Sequence, residues 1–302
     1  MESCNRMGRG MAHVAFLGLG VMGYPMAGHL AAKGHKVTVY NRTPAKAAAW
    51  VAQYGGAHET TPAGAASGAE FVMTCVGNDD DLRAVCTGPS GAFAGMDRGA
   101  VLVDHTTVSA MVTRQLRDEA DALGIGFVDA PVSGGQAGAQ LGALSIMCGG
   151  SADAYQAAEP VMAAYARICR RLGESGAGQL AKMMNQICIA GLMQGLSEAL
   201  LFGEKAGLDG AAVVEVISQG AAGSWQMVNR HKTMLEDRFD FGFAVDWMRK
   251  DLRICLDTAE DLGAPLPVTA LIDQFYKDVQ AQGGGRHDTS SLIRRLRALH
   301  GQ

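Results

Sequence analysis

The sequence lacks a paired-cysteine framework, a metal-ligand spacing, an apolar leader, a dominant charge sign and a fixed-period repeat. Its seven cysteines, Cys4, Cys75, Cys86, Cys148, Cys169, Cys188 and Cys255, are scattered, odd in number and without a C-x-x-C pair. That excludes a disulfide scaffold and reads as the reduced, mostly buried thiols of a cytoplasmic protein. No residue set has zinc spacing, so no metal is expected. Lys and Arg number 26 against 30 Asp and Glu, a net charge of −4. Such a balance gives no whole-molecule attraction for nucleic acid or an anionic membrane. Residues 1–11 are polar and glycine-rich with no apolar core, so they are not a secretory signal and are expected to be a disordered extension. The most apolar stretch, Ile187 to Phe202, is interrupted by Gln194, Ser197 and Glu198 and is short for a membrane span. It reads as a buried helix.

What is present is an ordinary globular composition, 48% hydrophobic and 19% charged over 302 residues, long enough for two domains. Forty glycines point to tight backbone turns around a ligand. Short apolar runs at 13–17, 36–40, 71–76, 101–104 and 126–130 predict strands, with helices between them over 21–33, 45–53 and 112–123. Strands alternating with helices make βαβ units and a parallel sheet. After about Gly173 the strands stop. One long helix is expected over 179–206, ended by Gly207, then helices over 211–219 (capped by Asp209), 244–262, 268–282 and 290–299. The expected fold is therefore an α/β Rossmann-like domain over 12–174 and an all-α domain over 175–302, joined by the long helix.

Five motifs carry chemistry. Gly18-Leu19-Gly20-Val21-Met22-Gly23 follows the first strand and opens a helix. Its glycines permit a tight turn and bring a pyrophosphate close to backbone N–H groups at a helix N-terminus. The second predicted strand ends in Asn41-Arg42-Thr43, with no carboxylate for the ribose hydroxyls. A guanidinium there pairs with a 2′-phosphate, which favours NADP over NAD; otherwise Arg42 is a solvated residue or an adenine stacker. Ser133-Gly134-Gly135, after a strand, forms either a backbone nest for a carboxylate or simply a tight loop. Lys182, Asn185 and Gln186 share one helix face by their spacing of three and four. A lone lysine in an apolar helix usually snorkels; one beside two amides and near Gly176 and Gly178 looks like a site. Finally Phe243 and the run Met248 to Leu252 include Asp251, which could orient Lys182 or belong to a solvated charged face.

These motifs, in this order, resemble the β-hydroxyacid dehydrogenase family, from Ala12 to about Leu299. The matching pieces are GLGVMGYPMA at 18–27, VDHTTVS at 103–109, DAPVSGGQAGAQLGALSIMCGG at 129–150, GAGQLAKMMNQ at 176–186 and KDL at 250–252. The resemblance implies that Lys182 is the catalytic lysine and that Ser133, Gly134 and Gly135 hold a substrate carboxylate. It also implies that Asn185 and Gln186 bind substrate, that Phe243 lines the pocket and that Asp251 lies beside it. Val76, Gly77, Thr107 and Lys250 fall on cofactor positions. Three places depart from the family pattern: VGNDDD at 76–81 where Leu-Pro is common, His105-Thr106 before Thr107, and Gln186 where the 3-hydroxyisobutyrate enzymes carry Asn. The implied reaction is hydride transfer between NADP(H) and a small carboxylate substrate, a short 3-hydroxy acid or semialdehyde. Lys182 is then acid in reduction and base in oxidation, the latter requiring an amine neutralised by partial burial. The apolar 179–206 stretch predicts an oligomer, and the resemblance implies a homodimer or homotetramer built by the helical domain. The rival readings are an imine reductase, for which Lys182 is the wrong residue, and a non-enzymatic cofactor-binding protein, which would not need Lys182.

Overall fold

A computed structural model describes residues 10–299, so the expected extension falls outside the described residues as far as residue 9. The chain divides into two compact units, the first reaching Lys182 and the second starting at Met183.

Unit 1 is built on nine strands: β1 (His13–Leu17), β2 (Lys36–Tyr40), β3 (Ala57–His58), β4 (Phe71–Thr74), β5 (Val101–Asp104), β6 (Gly126–Asp129), β7 (Val132–Ser133), β8 (Leu144–Gly150) and β9 (Ala166–Gly173). Their order is β3-β2-β1-β4-β5-β6-β8-β7, with β9 paired to β8. Pairings from β3 across to β6 are parallel, with Val14 opposite both Val37 and Phe71. β8 runs antiparallel to β6 and β7 and parallel to β9. The helices are α1 (Gly23–Ala32), α2 (Pro44–Tyr54), α3 (Pro62–Ala66), α4 (Asp79–Cys86), α5 (Ala92–Gly95), α6 (Ala110–Leu123), α7 (Gly135–Gln140) and α8 (Ala152–Met162).

Alternation along the strands makes two cores. Val14 and Phe16 join Met26, Leu30 and Trp50 on one face. Ala15 and Leu17 join Leu82, Val112 and Leu116 on the other. Burial on both faces explains why these strands read as continuous apolar runs. The run expected to reach residue 76 stops at Thr74, because Cys75 and Val76 already belong to the loop leaving the sheet. Strands β3, β7, β8 and β9 add to the expected set. Strand β9, ARICRRLG, alternates half-buried and exposed residues at the sheet edge, so it lacks the apolar run that marks a buried strand.

Helix α9 (Ala177–Lys205) is the long helix, and the division between units falls within it. The sequence places the boundary at 174/175. The first turns of α9 go with unit 1 because Gly176 N–H and Gln179 N–H donate to the Asp129 carboxylate at the end of β6, at 2.8 and 3.0 Å.

Unit 2 continues through α10 (Gly210–Ile217), α11 (Trp225–Leu235), α12 (Val245–Leu262), α13 (Pro267–Ala281), a 3-10 turn (Thr289–Ser291) and α14 (Leu292–Leu299). Asp209 caps α10 as expected, accepting from the amides of Ala211 and Ala212. Pro267, expected only to break the chain, begins α13 at its first turn, where a missing N–H costs nothing. Helix α11 was not expected: Trp225-Gln226-Met227 and Asn229-Arg230-His231 blur its apolar stripe, although Ser224 caps it and Met227 and Met234 enter the core. That core is one cluster, with Met193, Leu200, Met248, Leu252, Tyr276 and Leu292 among its members. Among the described residues no strand follows Gly173.

Candidate active site

The glycine turn leaves β1 at the carboxyl end of the sheet. Gly18 has φ +104°, and a Cβ there would strike the Cys75 carbonyl oxygen. A Cβ on Gly23 would strike the carbonyl oxygen of Gly18, so both positions require glycine. A Cβ on Gly20 would meet nothing within 4 Å. The turn is thus closed on its protein side and open where a dinucleotide pyrophosphate would approach, with Val21 exposed beside it. The group fits. Asn41, at the end of β2, fixes the turn: its Oδ1 accepts from Leu19 N–H at 2.9 Å and its Nδ2 donates to the Thr43 carbonyl at 3.1 Å.

Arg42 is solvated, as one reading of the sequence has it, but it is also engaged. Its guanidinium lies 3.0 Å from Asp81, with the arginine side chain 85% exposed. The unusual 76–81 loop has a structural logic. Asn78 caps α4 by accepting from Asp81 N–H at 2.8 Å. Asp79 accepts from Ser109 N–H at 3.0 Å and from its hydroxyl, tying α4 to the start of α6. Val76 N–H donates to Thr106 Oγ1 at 3.1 Å.

His105 and Thr106 are likewise structural. His105 is 2% exposed, and its Nδ1 lies 2.7 Å from the Ala130 carbonyl and its Nε2 2.8 Å from the Tyr165 hydroxyl. The carbonyl only accepts, so Nδ1 carries the hydrogen and Nε2 accepts from Tyr165. Burial pushes this histidine down to about 4, so it is neutral at pH 7. Asp104, wholly buried, accepts at Oδ1 from Thr74 Oγ1 (2.7 Å) and Thr106 N–H (2.9 Å), while Oδ2 has no hydrogen-bond partner among the described residues. Burial raises its carboxyl to about 7 against those two donors.

Two residues that sequence reasoning passed over set the stage for Lys182. Asp129 is fully buried, and burial raises its carboxyl while the Gly176 and Gln179 amides oppose the rise. Gln179 donates from Nε2 to the Thr106 carbonyl (2.8 Å) and accepts at Oε1 from Val108 N–H (3.2 Å), bracketing Thr107. The signal was Gly178, where a Cβ would lie 2.7 Å from the Asp129 carbonyl oxygen and clash with that of Met147. That glycine marks a helix start pressed onto the sheet. Lys182 follows three residues after Gln179 and is only 7% exposed. It is therefore not a snorkelling surface lysine. Also in unit 1, Ser133 ends β7, paired with Ser145, and Gly134 and Gly135 leave it with φ +133° and +61°.

In unit 2, Gln186 is 1% and Asp251 3% exposed. Gln186 Nε2 donates to Asp251 Oδ2 at 2.6 Å, its Oε1 accepts from Asn185 Nδ2 at 2.7 Å, and Lys250 Nζ stands 3.0 Å from Asp251 Oδ1. The run 248–252 is thus no solvated charged face. Phe243 is held by its own N–H, which donates to Asp288 at 2.9 Å. Among the described residues no cluster suits a metal ion.

Two family models match the chain: the NAD-binding domain of 6-phosphogluconate dehydrogenase over residues 13–173, and the NAD-binding domain of NADP-dependent 3-hydroxyisobutyrate dehydrogenase over 176–296. The chain belongs to the β-hydroxyacid dehydrogenase family and is an NAD(P)-binding oxidoreductase. Among individual relatives, it is 61% identical over 95% of its length to an uncharacterised oxidoreductase of Shewanella frigidimarina, covering 98% of that protein. It is 34% identical over 92% of its length to 3-hydroxyisobutyrate dehydrogenase of Pseudomonas aeruginosa, covering 95% of it. A solved structure of Mycobacterium tuberculosis 3-hydroxyisobutyrate dehydrogenase with L-serine matches at TM-score 0.84 and 30% identity, covering 95% of this chain and 99% of that one.

Proposed function

We propose that the protein transfers a hydride between NADP(H) and a short carboxylic acid carrying a 3-hydroxyl group or the corresponding semialdehyde, with Lys182 as its general acid and base. The observation that carries this reading is a buried lysine, one helical turn from buried Gln186, on a helix whose start is bound by Asp129 through Gln179 N–H. L-serine, named with the M. tuberculosis relative, is itself a 3-hydroxy acid and supports the substrate class. The nicotinamide, when bound, supplies or accepts the hydride. Gly18, Leu19, Gly20, Val21, Met22 and Gly23 hold its pyrophosphate, with Asn41, Arg42 and Thr43 at the ribose and Val76, Gly77, Thr107 and Lys250 as further contacts. Ser133 and the Gly134–Gly135 amides anchor the substrate carboxylate, and Phe243 is a further substrate contact. In reduction Lys182 gives a proton from Nζ to the carbonyl oxygen; in oxidation the same nitrogen takes the hydroxyl proton. Asn185 and Gln186 orient the reacting oxygen, with Asp251 fixing the Gln186 amide. NADP is preferred because Arg42 offers a guanidinium just after β2, which ends without a carboxylate. Asp81 shares that guanidinium and would have to yield part of it to a 2′-phosphate.

The test is a reductase assay with NADPH and NADH against semialdehydes, glyoxylate and cyclic imines, on wild type and Lys182→Met. Methionine keeps the apolar stem and the helix propensity. The variant is expected to bind NADPH with wild-type fluorescence titration and to lose at least about 10²-fold in kcat, the lower range for a positioned proton donor. Retained turnover, or turnover of imines alone, overturns the assignment. A wild type that uses NADH better than NADPH removes Arg42 as selector. We also propose a homodimer or homotetramer formed through unit 2, supported by Phe202 at 74%, Val216 at 73% and Val228 at 56% exposure on its helices. Sedimentation of a stable monomer at micromolar concentration would contradict it.

A further inference from the structure

Cys148 and Cys169 stand on adjacent strands of unit 1, and their sulfurs are 3.5 Å apart. In the parallel β8–β9 ladder Ile146 faces Cys169 and Cys148 faces Arg171. The cysteines are thus diagonal neighbours, and the two-residue period puts them on one face. Their surroundings differ. Cys148 is wholly buried, whereas Cys169 is half-buried on the edge strand. A disulfide needs an S–S separation of about 2.05 Å, so closure requires roughly 1.5 Å of approach. The ladder shifts register directly after Cys148, from Cys148 opposite Arg171 to Gly149 opposite Gly173. Such an irregularity is where a strand can bend and absorb the movement.

The two sulfurs are also chemically unequal. The hydrogen bond with Cys148 pulls the Cys169 thiol below its ordinary range, with the Tyr155 hydroxyl assisting and burial and Glu159 opposing. The same hydrogen bond, with burial, pushes Cys148 up. The half-buried cysteine is therefore the better nucleophile and the wholly buried one the natural resolving partner.

We propose that Cys169 and Cys148 are an oxidisable dithiol, a modification site at which a small hydroperoxide converts the pair to an intramolecular disulfide. The Cys169 thiolate attacks the peroxide oxygen: an S–O bond forms, the O–O bond breaks, and the displaced oxygen takes up a proton and leaves as water or an alcohol. The Cys148 sulfur then attacks the sulfenic sulfur of Cys169: the S–S bond forms, the S–O bond breaks, and hydroxide leaves with the Cys148 proton as water. The two thiols are oxidised by two electrons and the hydroperoxide is reduced by two. This site stands independently of the proposed hydride transfer. It adjoins the seat of α9, because Gly149, next after Cys148, presses on the Asp129 carboxylate, to which a Cβ would come within 2.6 Å.

The test uses the full chain with Cys188→Ser, which removes an exposed thiol on α9 that could cross-link copies. Hydrogen peroxide is added below the thiol concentration, remaining thiols are blocked with N-ethylmaleimide, and peptides are mapped without reduction. The expected result is a linked Cys148–Cys169 peptide, two thiols lost per peroxide consumed, and full recovery with dithiothreitol. Cys148→Ser is expected to leave a dimedone-reactive sulfenic acid on Cys169, and Cys169→Ser to leave Cys148 reduced. The proposal is overturned if both cysteines stay alkylatable while other thiols are consumed, or if the linkage forms only in urea. The linked peptide is read without either pair variant, so misfolding of one of them does not blunt the test.

Discussion

The two units hold their carboxylates in different ways. In unit 1, Asp104 and Asp129 sit at the carboxyl ends of β5 and β6 and are held by hydroxyl and backbone N–H donors. In unit 2, Asp273 pairs with Nε and Nη2 of Arg249 at 3.0 and 3.1 Å, Asp288 with Arg230 at 3.2 Å and Asp237 with Arg294 at 2.7 Å. Neutral donors in a dry setting leave desolvation dominant, and both unit 1 carboxyls are raised. At Asp237 the sign is reversed: the Arg294 hydrogen bond holds it below the ordinary carboxylate range. The contrast follows from architecture. Strand ends meet free N–H groups of loops and helix starts, whereas amides inside a helix are spent on its own ladder, so carboxylates packed there draw mostly on side chains.

The largest predicted effect tests unit 1. Asp104 rises from 3.8 to about 7 on folding, so its protonation favours the fold fully below pH 3.8, and this contribution is lost as pH rises through about 7. Asp104→Asn is uncharged, can still accept from Thr74 and Thr106 at its oxygen, and lacks this dependence. Relative to wild type, the variant should lose stability by about 1.4 kcal/mol per pH unit as pH falls from about 7 to about 4, on the order of 4 kcal/mol in all. His105, lowered from 6.5 to about 4, has the opposite linkage: its neutral buried state loses stability as pH falls through 6.5. The adjacent pair therefore nearly cancels between pH 4 and 6.5 in the wild type, and the substitution exposes the histidine. Urea unfolding across this range, read by hydrogen exchange in β4 and β5, measures it. A flat difference between variant and wild type would show that Asp104 is ionised in the fold.

The sheet and the site were legible to different degrees. The five central strands, the glycine turn and Lys182 stand out because each has a local signature: doubly buried apolar runs, three glycines that a Cβ would obstruct or that open to a ligand, and a charge in an apolar helix. What stayed hidden depends on distant partners. Nothing near Asp129 in sequence announces that its acceptors serve amides 47 and 50 residues away. His105 reads as a departure from the family pattern until Tyr165, 60 residues on, supplies its second hydrogen bond. Strand β9 and helix α11 were missed because exposed polar residues interrupt their apolar stripes. Asp251 was expected to orient Lys182; its described contacts, Gln186 and Lys250, come from α9 and α12 within unit 2.

A smaller effect is expected at Asp288, the most connected carboxylate of unit 2. It accepts from Phe243 N–H, Ser290 N–H and the Ser290 hydroxyl at 2.9, 3.1 and 2.6 Å, and it pairs with Arg230. Asp288→Ala leaves those buried donors unsatisfied at once and should cost about 3 kcal/mol. The loss should appear as a lower urea midpoint with unchanged slope, read by exchange in α12 and α13. Because Phe243 is released with it, substrate KM should rise as well. A loss under about 1 kcal/mol would mean that water replaces the carboxylate, and that unit 2 depends on its arginines less than the contrast implies.

The smallest effect is at Asp237, and it separates burial from charge pairing as the origin of the contrast. Its side chain is 45% exposed, and it meets Arg294 through both carboxylate oxygens and Arg297 at 3.5 Å. Exposure screens the attraction, so Asp237→Asn should cost only about 0.5 kcal/mol despite the number of contacts. Asparagine also tolerates the backbone at this position, where φ is +53°, so the substitution removes charge without adding strain. The sign follows from the lowered carboxyl: its contribution is present above the unfolded value of 3.8 and is lost as pH falls below it. The difference between variant and wild type should therefore be constant from pH 5 to 8 and vanish in strong acid, opposite to the behaviour of Asp104. It should also shrink as salt is raised from about 0.1 M to about 1 M, where screening reaches contact distances. A cost that survives high salt would assign the stabilisation to hydrogen-bond geometry instead, and the two units would then differ in their donors but not in their electrostatics.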